Sequence, residues 1–65
     1  MNYRIEYRID NYMSPHYKFV QAPDTEQAEQ QFQQAIDEQI PEANVNIVEM
    51  SLVVERDNTI VTVPA

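Results

Sequence analysis

Cysteine and glycine are both absent from this 65-residue chain, and histidine occurs once. Without cysteine there is neither a disulfide nor a thiolate metal site, which fits a reducing, cytoplasmic setting. Without glycine there is no Walker loop and no dinucleotide fingerprint, because those loops need backbone positions that only glycine fills comfortably. The single histidine, His16, stands between Pro15 and Tyr17. It has no second His or Cys with which to form a metal set, and it reads as an ordinary hairpin residue. The only serines are Ser14, which precedes a proline, and Ser51, which falls in a strand pattern. Neither has a glycine elbow or a recognisable base. These absences leave no catalytic residue and no cofactor to propose, so the expectation is a protein that is not an enzyme and works by binding.

Basic residues are also scarce. Four bases against 11 acids give a net charge of −7. That argues against binding nucleic acid through phosphates, which requires Lys and Arg, and against attraction to anionic membrane surfaces. No apolar run approaches the ~20 residues that span a bilayer. Met1-Asn2-Tyr3-Arg4 alternates polar and apolar residues and has no signal-peptide apolar block. A soluble protein is the expectation.

What the chain does have is periodicity, with 43% hydrophobic residues. Its length suits one small domain that buries only roughly 60% of its unfolded surface. Such a core has little margin, and a homodimer interface would help to stabilise it. Tyr3, Ile5, Tyr7 and Ile9 alternate with Arg4, Glu6 and Arg8. This period of two predicts a half-buried strand over 3–9. After a loop from Asp10-Asn11 to Ser14-Pro15, a second strand is predicted over Tyr17 to Ala22. Its facing is ambiguous, because Tyr17 and Phe19 have one parity and Val20 and Ala22 the other. A bulge or a two-sided strand would resolve this.

Asp24 is then a good N-cap with Gln27 three residues on. Ala28, Phe32, Ala35, Ile36 and Ile40 form one apolar stripe, and Pro41 stops the helix. The helix is predicted over 25–39. Val45 to Glu55 is a third strand with a change of parity near Ile47-Val48: either both faces are partly covered or a bulge switches the facing there. Asp57-Asn58 is the one plausible tight turn, since both residues tolerate the positive φ of a type I′ hairpin. It would pair Arg56 with Thr59, Val54 with Val61 and Leu52 with Val63, with Thr59 to Val63 as the last strand. The fold class is α+β, in the sequence β-β-α-β-β. One helix should cover one face of a four-stranded, mainly antiparallel sheet in the order 2-1-3-4, with Phe32 and Ile36 packed on Ile5, Tyr7, Met50 and Leu52.

Charge is distributed unevenly. Asp24, Glu26, Glu29, Asp37, Glu38 and Glu42 lie within 24–42, where there is no base, so six of the seven net negative charges belong to the helix and its exit. Asp37 and Glu38 sit where the helix dipole disfavours anions. Stability alone therefore does not account for them. The functional reading is an acidic, glutamine-rich docking face of Glu26, Glu29, Gln30, Gln33 and Asp37, set against the plainer reading of a solvated polar face. Asp37, Glu38 and Glu42 lack the spacing of a dedicated calcium loop and read as solvated surface. Arg4 and Arg8 are expected on the opposite sheet face, with Glu6 between them and Lys18 a candidate beside them; this reads as a cross-strand salt-bridge ladder, with a second contact face as the alternative. Tyr12 and Met13, in the first loop, are candidates for an apolar anchor of the kind found at binding hot spots, or equally for a cover over the end of the core.

The run Lys18-Phe19-Val20-Gln21-Ala22 followed by Asp24-Thr25-Glu26-Gln27-Ala28 resembles, in pattern, the strand-then-helix entry of small acidic phage proteins that inhibit host enzymes, such as RNA-polymerase inhibitors. The resemblance carries over no functional residue. The leading expectation is a protein-binding module, an inhibitor or adaptor, whose acidic helix face meets a basic surface on another protein. The alternatives are a polyanion mimic that occupies a nucleic-acid-binding groove, and a structural homo-oligomer paired through the edge of strand 2 or strand 4.

Overall fold

A computed structural model describes residues 1–10 and 14–65. The described residues form β1 (Asn2–Ile9), β2 (His16–Gln21), α1 (Thr25–Gln39), β3 (Val45–Arg56) and β4 (Thr59–Pro64). The sheet runs in the order β2-β1-β3-β4 with every neighbouring pair antiparallel, and the helix packs on it. This is the predicted α+β architecture and strand order. The helix bounds match the prediction. The strands differ slightly at their ends: β4 continues through Pro64, whose missing N–H is tolerated on an edge strand.

The core follows the two periodicities. Ala28, Phe32 and Ile36 from the helix are buried against Tyr3, Ile5, Val20 and Ala22, and Tyr7, Ile40, Val45, Ile47, Met50 and Leu52 pack around them half-buried. The Phe32 ring meets Tyr7 edge-on, with centroids 4.9 Å apart. The helix begins as its sequence dictates: an Asp24 side-chain oxygen accepts from the Gln27 N–H at 2.8 Å. It ends as Ile40, just before Pro41, leaves helical geometry while its N–H donates to the Ile36 carbonyl at 2.8 Å.

Both ambiguous strands are resolved by register. In β2, Val20 stands opposite Tyr3 and faces the helix, so Tyr17 and Phe19 face away from it. The strand is two-sided, with no irregularity in its pairing. In β3 the register shifts opposite Glu6 and Tyr7, so that Ile47 and Met50 both face the helix although their parities differ. That bulge is one of the two resolutions that the sequence leaves open for β3. The β3–β4 pairs Arg56–Thr59, Val54–Val61 and Leu52–Val63 are also as predicted. Asp57 (φ 50°) and Asn58 (φ 63°) supply the two left-handed residues of the turn.

Two expectations about the helix-free face need correction. Lys18 is not beside Arg4 and Arg8: it pairs with Ile5 and so lies on the helix side, because β2 keeps strict alternation from Val20. Nor does Arg4 join a salt-bridge ladder. Its guanidinium carbon lies 5.2 Å from the centre of the Tyr17 ring, a cation–π contact. Glu6 is directly opposite Glu49 across the β1–β3 seam.

Candidate functional site

The helix lies closest to β2. It therefore covers the β2–β1 half of the sheet better than the β3–β4 half. Val54, Val61 and Val63 continue the helix-side face beyond the core residues and remain half-buried. Between the uncovered half and the helix runs an open groove of about 460 Å³, walled by Thr25, Glu26 and Glu29 and floored by Ile47 and Met50, with Ala65 at its end. The Ala65 N–H donates to the Met50 carbonyl at 3.1 Å, which holds the chain end against that floor.

Glu26, Glu29, Gln30, Gln33 and Asp37 are all exposed and share one shallow depression along the helix with Gln34. Their spacings of three and four place them on a single stripe. The stripe begins at the groove, because Glu26 and Glu29 belong to both. The last turn holds no base, so the carboxylates at its end have no cationic neighbour within that turn. Tyr12 and Met13 lie outside the described residues.

The remaining candidates from the sequence are accounted for by local packing. His16 stacks on Tyr7, with centroids 5.5 Å apart and planes 26° from parallel. Ser51 is buried and donates to a Glu49 carboxylate oxygen at 3.3 Å. Among the described residues, no group of three or more His, Cys, Asp or Glu side chains is arranged to hold a metal ion, and no helix is long and apolar enough to cross a membrane.

Sequence reasoning missed the groove floor. Met50 appears in the sequence only as a core residue and Ile47 only at the parity switch, because nothing in a strand's periodicity says how far a helix extends across the sheet. It also missed the apolar content of the helix-free face, where Tyr17 and Phe19 are 51% and 67% exposed. The parity conflict within β2 was the available signal for that, but parity alone does not say which side is inside. Searches of family models, curated proteins and solved structures find no match to this chain.

Proposed function

We propose that this protein is a protein-binding module that takes a basic, amphipathic segment of a partner along the acidic stripe of α1. The observation that carries this reading is the adjacency of two unlike surfaces. The stripe of Glu26, Glu29, Gln30, Gln33 and Asp37 borders a groove whose floor is apolar. A solvated helix face needs no such neighbour. An amphipathic segment has one apolar and one basic side, and the floor and wall offer a counterpart to each. Carboxylates on the wall would steer the approach, and Ile47 and Met50 would supply the buried contact. Binding of this kind serves an inhibitor or adaptor rather than a catalyst. It suits a cytoplasmic protein, the setting that the lack of cysteine suggests.

The test is titration of the full chain with a fluorescent Lys/Leu amphipathic peptide and with its Glu/Leu counterpart. The Lys/Leu peptide should bind and the Glu/Leu peptide should not. Making the stripe basic with Glu29→Lys, Gln33→Lys and Asp37→Lys should abolish binding with little change in thermal stability, and Met50→Asp should weaken it. Unchanged binding in the triple variant sinks the proposal. For a natural partner captured from the host, competition with DNA or RNA would assign the same stripe to polyanion mimicry instead.

A further inference from the structure

The helix-free face of the sheet has no covering layer, yet its composition is not that of a surface left to water. Besides Met1, the large apolar residues most exposed among those described are Tyr17 (51%), Phe19 (67%), Val48 (50%) and Ile60 (73%). Tyr17 and Phe19 pair with Glu6 and Arg4, two of the β1 residues turned away from the helix. Val48 alternates away from Ile47, and Ile60 stands opposite Glu55 further out on the β3–β4 ribbon. All four therefore turn away from the helix. Two polar features of the same face are unfavourable within one chain. Glu6 and Glu49 stand side by side, a like-charge pair that costs stability. The Arg4 Nε is buried without a hydrogen-bond partner among the described residues.

The order of these residues is self-complementary. One row across the sheet reads Phe19, Arg4, Ser51, and the next reads Tyr17, Glu6, Glu49. A two-fold axis parallel to the face and midway between the rows lays each row on the other row of a second copy. Phe19 then meets Tyr17, Arg4 meets Glu6, and Glu49 comes over Ser51. An isologous contact of this kind satisfies each residue twice.

We infer that this face is the interface of a two-fold homodimer, a sandwich of two sheets with both helices outside. The charge layout permits it. Six of the seven net negative charges lie on or beside the helix, on the far side of each sheet, and the rest of the chain is nearly neutral with five acids and four bases. Packed sheets stand about 10 Å apart, so the two acidic helices are separated by more than the Debye length of about 8 Å at physiological salt. The axis lays β1, β2 and β3 of one copy over the same strands of the other, about 15 Å by about 20 Å, while β4, which pairs only with Ser51–Arg56 of β3, projects beyond the overlap with Ile60. That footprint, about 300 Å² in projection, is below the roughly 600 Å² per partner of standard specific interfaces. The dimer is accordingly weak and concentration-dependent. It uses the sheet face opposite the proposed partner groove, so either can fail without the other.

Sedimentation velocity of the full chain over a concentration series tests this. The mass should rise from 7.6 kDa toward twice that value as concentration increases. Arg4→Glu and Glu6→Arg should each remain monomeric over the same range, with far-UV circular dichroism unchanged. Mixing the two variants should restore the dimer, because the carboxylates at positions 4 and 6 of one chain then face guanidinium groups at positions 6 and 4 of the other. An unfolded variant would not be rescued in this way. A chain that is monomeric throughout overturns the inference, as does a mixture that regains nothing. A dimer that survives both single substitutions also overturns it and assigns association to an edge strand. The Glu29→Lys, Gln33→Lys, Asp37→Lys chain should dimerise like the wild type, which separates this test from that of the partner groove.

Discussion

Asp10 and Asn44 hold each other by two hydrogen bonds. The Asp10 N–H donates to the Asn44 carbonyl at 2.8 Å, and the Asn44 N–H donates to an Asp10 carboxylate oxygen at 3.1 Å. Asp10 does so from the left-handed region, with φ at 40°. The pair ties the exit of β1 to the entry of β3, and so fixes where the chain rejoins the sheet after the helix. Aspartate suits both demands, because its short polar side chain eases a left-handed backbone and reaches a neighbouring N–H. Asp10→Ala should lose the side-chain bond and incur the left-handed penalty, each about 1 kcal/mol. Asp10→Asn should keep most of both. Urea unfolding of the two variants checks this, and an Ala variant as stable as the wild type would remove the latch from the account.

Phe32 is the largest fully buried side chain among the described residues and projects from the helix onto Tyr7. Phe32→Ala should cost about 3–5 kcal/mol through lost burial and a residual cavity. A domain of this length has roughly 3–10 kcal/mol of total stability. The variant should therefore be largely unfolded at room temperature by near-UV and far-UV circular dichroism. Phe32→Leu should remain folded with a lowered melting temperature.

The β3–β4 turn places both Asp57 and Asn58 at positive φ in a chain that contains no glycine. Asn58→Gly should raise stability, because Asp-Gly is a preferred type I′ pair. Asn58→Val should lower it by about 1–2 kcal/mol, the left-handed cost for a residue with a full Cβ. A rise in the urea midpoint for the first and a fall for the second is the expected pattern. Equal midpoints would mean that the turn frays without consequence for the sheet.

Asp37 and Glu38 are neighbours in sequence with the same unfavourable placement against the helix dipole, yet only Asp37 lies on the acidic stripe. Asp37→Lys and Glu38→Lys should each stabilise the chain by about 0.3–1 kcal/mol at low ionic strength, and the gain should shrink as salt is added. Peptide capture should weaken for Asp37→Lys and persist for Glu38→Lys. Equal loss in both would mean that net charge, and not the stripe, governs binding.

Most of the architecture was legible because each element carried its own local signal. The alternation over 3–9, the Asp24 cap, the apolar stripe through Phe32 and Ile36, and the Pro41 stop each act within a few residues. Asp57-Asn58 set the β3–β4 register for the same reason: a two-residue turn leaves only one pairing. The parity switch at Ile47-Val48 was visible, but only the register with β1 decides that it is a bulge and not a two-sided strand such as β2. The acidic stripe was likewise readable, because helical spacing alone places Glu26, Glu29, Gln30, Gln33 and Asp37 together.

The features that give those residues a setting depended on tertiary structure. Val20 and Phe19 are both apolar, and only the pairing of Val20 with Tyr3 decides that Phe19 is turned outward. Lys18 moved to the helix side by the same register. The groove beside Glu26 and Glu29 exists because the helix settles nearest β2 and leaves Ile47 and Met50 partly uncovered. The sequence by itself determined the elements, their order and the location of the charge, because those follow from short-range periodicity and capping. Which faces are covered was decided by the tertiary structure, because coverage depends on where one layer comes to rest on another, and no local pattern encodes that distance.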